Sequence, residues 1–380
     1  MTTPLRIGVD ARELLGDTTG VGRYLGELMR RWAARPDASR RQFLLYTPEP
    51  LPLALPAGAA GERVVGRGAG TWWEQTALRH AVRDDKPDVF YAPAYTAPLG
   101  IEMPLAVTIH DISFIAHPEW FRPRERLRRR WLTRRAAAAA AVIFTDSEFS
   151  RGELEQRLHV DPGRIRVIAP GVSTVNDVPI ADSGTDRSYS GDGSASEVPR
   201  EPLVLFAGSV FNRRHLPELI AAFARAAKDL PAARLVIAGA DRTWPRQDLQ
   251  ATAADLGIAG KVEVRNYVTQ AELTDLYRRA SVFAFLSEYE GFGLTPLEAL
   301  AAGVPVVVMD TPVAREVYGD AAEYVAPGDL DATAAALRRF LRSASAAREP
   351  LTRAPTILAR YSWDRTAADT LEQLERIAGR

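Results

Sequence analysis

Residues 281–310 read SVFAFLSEYEGFGLTPLEALAAGVPVVVMD, one complete strand–helix–strand unit. The apolar run Ser281–Leu286 has the length of a strand. Gly291 and Gly293 follow, in a loop whose backbone can approach another molecule closely. Thr295 suits a helix N-cap and Pro296 the first helical position. Glu298 stands three residues after Thr295, as in a capping box. Gly303 ends the helix, and Pro305–Met309 is the next apolar run. Continuous apolar strands joined by a helix are parallel strands covered on both faces.

The same alternation runs through the chain. Strands are expected at Arg6–Ala11, Gln42–Thr47, Glu62–Gly66, Asp88–Ala92, Leu105–His110, Ala141–Thr145 and Arg164–Ala169. The second half adds Leu203–Ala207, Arg234–Ala238, Val262–Val268, Ser281–Leu286, Pro305–Met309 and Ala322–Val325. Helices such as His215–Asp229, Gln270–Ala280 and Asp331–Leu341 lie between them. At 380 residues and 46% hydrophobic content, the chain suits two cores of about 150–190 residues each. Ser173–Glu201 interrupts the pattern with a Ser/Gly/Asp-rich stretch that cannot form a core. The fold class is therefore α/β, with two Rossmann-like, doubly wound domains at 1–172 and 202–360, a polar linker at 173–201, and a central cleft facing both. Ligands of such sheets bind beyond the carboxyl ends of the strands.

Composition narrows the chemistry. The 48 basic and 48 acidic residues cancel, which argues against a globally basic nucleic-acid binder. Cysteine is absent, which removes disulfides, thiolate metal sites and a cysteine nucleophile. The five histidines show no paired metal-ligand spacing. MTTPLRIGVDA lacks an apolar signal core, and no run of about 18 apolar residues exists. A cytoplasmic protein is expected, with peripheral contact at the inner membrane face as one option. That option rests on Arg122–Arg135, a helical stretch with eight arginines and Trp131. It suits anionic headgroups or a lipid diphosphate as well as a plain solvated face.

Several post-strand stretches carry polar chemistry. A glycine loop leading into a helix N-terminus attracts anions. Glu290 before it and Glu298 inside the helix suit a hydroxyl-rich ligand carrying a diphosphate. After Leu203–Ala207, Arg213 and Arg214 can grip phosphate oxygens. His110 ends the strand Leu105–His110. Gly16, Gly20 and Gly22 follow the first strand, spaced Gly-x3-Gly-x-Gly rather than as the dinucleotide fingerprint Gly-x-Gly-x-x-Gly.

Glu290 and Glu298, with seven residues between them in EGFGLTPLEA, resemble the Glu-x7-Glu signature of retaining, family-4-type nucleotide-sugar glycosyltransferases (glycosyl transferases group 1), which have the GT-B fold. The resemblance implies that Glu290 contacts the donor sugar and that Gly291, Phe292, Gly293, Leu294 and Thr295 line sugar and phosphate. Glu298 would hold the ribose. Arg213 and Arg214 would neutralise the diphosphate, although Arg214 stands where lysine is usual and His215 where asparagine is common. Gly20 and Gly22 resemble a loop that closes over the diphosphate. His110 would touch the sugar near its anomeric centre, accepting a hydroxyl hydrogen bond or steadying charge. Trp72–Gln75, Asp146–Ser150 and VIAPGV at Val167–Val172 also look familial, and Tyr361-Ser362-Trp363-Asp364 resembles the start of a terminal helix, 361–380, that returns to the first domain.

The implied reaction moves a hexose, mannose-type and from GDP-mannose by preference, to a glycan or lipid-linked hydroxyl acceptor in cell-surface polysaccharide synthesis. No metal or other cofactor is implied. Alanine at Glu290 or Arg213 should end most transfer with the fold intact. Two other readings are a nicotinamide-dependent oxidoreductase using the N-terminal glycine loop and a non-catalytic binder of anionic surfaces.

Overall fold

A computed structural model describes residues 3–16, 20–51, 60–66, 68, 70–173 and 200–379. The expected linker falls almost wholly on 174–199, outside the described residues. The chain divides into two compact units. One comprises Met1–Gly171 with Tyr361–Arg380, the other Val172–Arg360.

In the N-terminal unit the described strands are β1 Leu5–Asp10, β2 Arg41–Thr47, β3 Ala60–Val64, β4 Val89–Ala92, β5 Leu105–Thr108, β6 Val142–Thr145 and β7 Ile165–Val167. They form one parallel sheet ordered β3-β2-β1-β4-β5-β6-β7. In the C-terminal unit they are β8 Glu201–Ala207, β9 Arg234–Ala238, β10 Val262–Arg265, β11 Ala280–Phe285, β12 Val306–Met309 and β13 Ala322–Val325. These form a second parallel sheet ordered β10-β9-β8-β11-β12-β13. Strands β4, β5, β6 and β12 are buried along their whole length, which is why they read as unbroken apolar runs.

Each sheet reverses its strand order once, between β1 and β4 and between β8 and β11. At such a point the following loops turn to opposite faces and leave a crevice at the carboxyl edge. In the second sheet Val204 lies opposite Val282 and Leu205 opposite Phe283. The loops after β8 and β11 therefore start side by side.

The helix Trp363–Ile377 packs within the N-terminal unit. Its buried Trp363, Ala367, Leu371 and Leu374 share a core with β1 and the helix Gly20–Ala34. Trp32 on that helix stacks on Phe43 at 5.3 Å, and its indole N–H donates to the Ala367 carbonyl at 2.8 Å. Gly171 lies so close that a Cβ there would sit 2.1 Å from the Trp363 nitrogen.

One local expectation is corrected. The helix after the glycine loop runs Leu294–Ala301 with Gly293 as its N-cap, and no capping box forms. Thr295 therefore lies inside the first turn. Gly293 has φ +93°, a left-handed conformation that suits glycine. A Cβ there would also fall 2.1 Å from the Tyr318 hydroxyl, which donates to the Gly293 carbonyl at 2.9 Å. Backbone geometry and this tyrosine start the helix two residues earlier than threonine's capping chemistry would. The far end follows expectation: the Val304 N–H turns back to the Ala299 carbonyl at 2.8 Å, just after Gly303.

Candidate active site

In the C-terminal unit, β8 leads through Gly208–Phe211 into a single 3-10 turn, Asn212–Arg214. Its neighbour β11 leads into Ser287–Gly291. Arg214 Nε donates to Glu290 Oε1 at 3.0 Å and Arg213 Nη2 donates to Glu290 Oε2 at 3.3 Å. The Ser287 hydroxyl adds a bond to Glu290 Oε1 at 2.8 Å. The Glu288 N–H donates to the Arg213 carbonyl at 3.0 Å, so backbone also joins the two loops. Strand order brings three predicted site residues to one point.

Arg213 is 7% exposed and Glu290 8%, unlike a surface arginine pair. The Arg213 guanidinium lies 4.8 Å from the Phe211 ring centre, and that of Arg214 4.9 Å from Phe285. Aromatic faces thus replace part of their hydration. Arg214 Nη1 also donates to the Ser209 carbonyl at 2.8 Å. Burial alone would raise the Glu290 pKa. Arg213, Arg214 and the Ser287 bond outweigh it and hold the carboxyl below the ordinary glutamate range.

Glu298 joins a different network. It is 7% exposed, and the Tyr277 hydroxyl donates to its Oε2 at 3.3 Å. Gly291 and Phe292 are buried, while Leu294 and Thr295 are half-buried in the first helical turn. Gly293 as N-cap has no side chain to cap that end, which leaves helix amides suited to an anion.

In the N-terminal unit β5 ends at Thr108, and His110 stands two residues beyond it. Its Nδ1 lies 2.8 Å from Asp146 Oδ2, just past β6. Its Nε2 lies 3.0 Å from the Pro93 carbonyl, just past β4. Tyr24 and Tyr95 meet the ring edge-on, with centroids at 5.2 and 5.7 Å. Burial pushes the imidazole pKa down, but Asp146 and the Pro93 carbonyl outweigh it and raise it above the usual histidine value. Both nitrogens face acceptors, so only the imidazolium makes both bonds. The expectation that His110 accepts a hydroxyl hydrogen bond does not fit this geometry. Gly20 opens the helix Gly20–Ala34 and Gly22 is buried in its first turn. Residues 17–19 of the glycine loop lie outside the described residues.

At the end of β1, Asp10 and Glu74, 2% and 1% exposed, share the Arg12 guanidinium, which lies 3.0 Å from Asp10. Burial pushes the Asp10 carboxyl up to about 6, with Arg12 opposing and Glu74 adding. The arginine-rich stretch forms the helix Pro123–Ala139. Leu127 and Trp131, one turn apart on it, are 68% and 52% exposed.

Reading the sequence gave no individual role to Asp146, Ser287, Tyr277 or Tyr318. Asp146 and Ser287 carry one available signal, being polar residues directly after buried strands. Tyr277 and Tyr318 carry none, because their partners lie 21 and 25 residues away. Among the described residues no group of three or more His, Cys, Asp or Glu side chains is placed to hold a metal ion.

Two family models match the chain. Residues 18–176 match Glycosyltransferase Family 4, and residues 194–354 match Glycosyl transferases group 1. The O-antigen chain mannosyltransferase B of Escherichia coli is 26% identical over 294 residues, 77% of this chain and 75% of that protein. The GDP-mannose:cellobiosyl-diphosphopolyprenol alpha-mannosyltransferase of Xanthomonas oryzae pv. oryzae is 31% identical over 226 residues. That match covers 59% of this chain and about half (54%) of the relative. Among solved structures, sucrose-phosphate synthase from Thermosynechococcus elongatus superposes with a TM-score of 0.75 over 99% of both chains, at 16% identity.

Proposed function

The chain is a glycosyltransferase of the group 1, family-4 type with the GT-B fold, and from that premise we propose that it moves a mannose-type hexose from GDP-mannose to a hydroxyl acceptor with retention at the anomeric carbon. The acceptor is a glycan or lipid-linked saccharide of a cell-surface polysaccharide, a reading supported by what the named relatives make. The observation that carries the donor site is the meeting of Arg213, Arg214 and Glu290 at the strand-order reversal of the second sheet.

The arginine pair and the uncapped amides at Gly293–Thr295 take the diphosphate. Glu290 takes the sugar hydroxyls and Glu298 the ribose. The bond from the anomeric carbon to the phosphate oxygen breaks, and the acceptor oxygen bonds to that carbon from the same face. The leaving phosphate receives the acceptor's proton. Guanidinium groups stabilise the charge that gathers on that phosphate, so the reaction needs no divalent metal. His110 is held as an imidazolium by Asp146 within the N-terminal unit. Arg122–Arg135 provides peripheral contact with an anionic membrane, which brings the enzyme to a lipid-linked acceptor.

A thermal-shift panel of nucleotide diphosphates and their sugars tests this reading. GDP and GDP-mannose should stabilise the protein, by about 2.7 kcal/mol at one hundred times Kd, whereas NADH should not. Stabilisation by NADH alone, or by no sugar nucleotide, overturns it.

A further inference from the structure

His215 directly follows the arginine pair. Its backbone is left-handed, φ 48° and ψ 44°, closing the turn Asn212–Arg214 and opening the helix Leu216–Ala226. Asparagine is among the few residues besides glycine that take this conformation readily. The imidazole does something an asparagine at this site would not do at both ends. Its Nδ1 lies 3.2 Å from Glu218 Oε1 on the following helix. Its Nε2 lies 3.0 Å from Glu288 Oε2, on the loop that also carries Glu290.

We propose that His215 is a positioning residue that pins the arginine loop to the sugar-binding loop and sets the charge of the donor site. The proposal rests on the donor reading given above. Three ties join the same two loops: Arg213 carbonyl to Glu288 N–H, Arg213 and Arg214 to Glu290, and His215 to Glu288. Only the third can be switched by a proton near neutral pH.

The charged groups facing the imidazole are Glu218 from the helix after it and Glu288 from the loop after β11, with Arg213 and Arg214 on the preceding turn. Glu218, and then Glu288, raise the imidazole pKa above the usual value against the opposing effect of burial. With His215 protonated, three cations (Arg213, Arg214, His215) balance three carboxylates (Glu218, Glu288, Glu290). Loss of that proton leaves the cluster one charge more negative and a single N–H to serve both Glu218 and Glu288. Both changes oppose a dianionic sugar nucleotide. The side chain is 26% exposed, so solvent protons reach it.

Two measurements on the full chain test the pin. The first is an NMR pH titration of the ligand-free protein, with His215→Asn identifying the resonance. Glu288→Gln should lower the imidazole pKa. An unchanged value overturns the pin whatever the donor is. The second is calorimetric binding of GDP-mannose from pH 6 to 9. In the wild type Kd should rise with pH, by up to the one-proton limit of about tenfold per unit. His215→Asn, which keeps the left-handed turn, should bind several-fold more weakly at pH 6 and show a shallower profile than the wild type. A variant with the wild-type slope and affinity ends the inference. If the wild type binds no sugar nucleotide, the functional reading fails, while the titration still decides the pin.

Discussion

Arg213 and Arg214 share the single Glu290 carboxylate, which leaves one net positive charge, and single substitutions there have unequal effects. Arg213→Ala leaves Glu290 paired with Arg214, so the fold should hold while turnover falls about 10²-fold or more. Glu290→Gln strips the carboxylate from two buried guanidinium groups. It should cost roughly 3–5 kcal/mol by the behaviour of other broken buried pairs, with part of the melting temperature restored by GDP-mannose. The expectation that alanine at Glu290 leaves the fold intact is revised by this burial. The Glu290 pKa is depressed, so the stability from this cluster is present above the unfolded glutamate pKa and lost as pH falls through the folded value. His110 behaves in the opposite sense. Its raised pKa means that the Asp146 pair contributes fully below the unfolded histidine pKa and fades as pH rises through the folded one. The melting-temperature gap between wild type and Asp146→Asn should therefore be wide near pH 5.5 and close by pH 9; a constant gap would refute the ion pair. Asp10, raised to about 6, costs stability as pH climbs from 4 through 6, so Asp10→Asn should narrow that loss in melting curves.

At the scale of elements, Gly171→Ala should push a Cβ into the Trp363 backbone and loosen the helix Trp363–Ile377. The cost should be about 1–3 kcal/mol, typical of overpacking, with faster proteolysis within residues 361–377. An unaltered melting curve would show that the helix can shift freely. The strands were legible because β4, β6, β11 and β12 are short apolar runs with helices on both faces. Strand boundaries moved by at most three residues: Val262–Val268 contracts to Val262–Arg265, since polarity alone does not mark where a ladder ends. Arg213 and Glu290 were legible as single residues following strands. That they bond to each other, and that His110 meets Asp146, follows from sheet order, which a linear pattern does not display. Tyr318 shifting the start of a helix 25 residues away was illegible for the same reason.

For the whole molecule, formal charge sums to zero, so attraction to an anionic vesicle must come from a patch. The arginines of the helix Pro123–Ala139 should each add about 1 kcal/mol near such a surface, with exposed Leu127 and Trp131 entering the interface. Sedimentation with phosphatidylglycerol vesicles should weaken as salt rises and vanish when Arg128, Arg130 and Arg134 become glutamate. Salt-independent binding would point elsewhere on the surface. On the proposed mechanism, in which Arg213 and Arg214 stabilise the leaving phosphate, turnover should survive EDTA, and loss of turnover would overturn that role.

The helix Trp363–Ile377 completes a core whose first strand begins at Leu5. A ribosome makes these two pieces more than 350 residues apart. The core around Trp32 therefore lacks this helix until the last residues of the chain have left the ribosome. Nascent chains stalled before residue 361 should present that incomplete apolar core to chaperones.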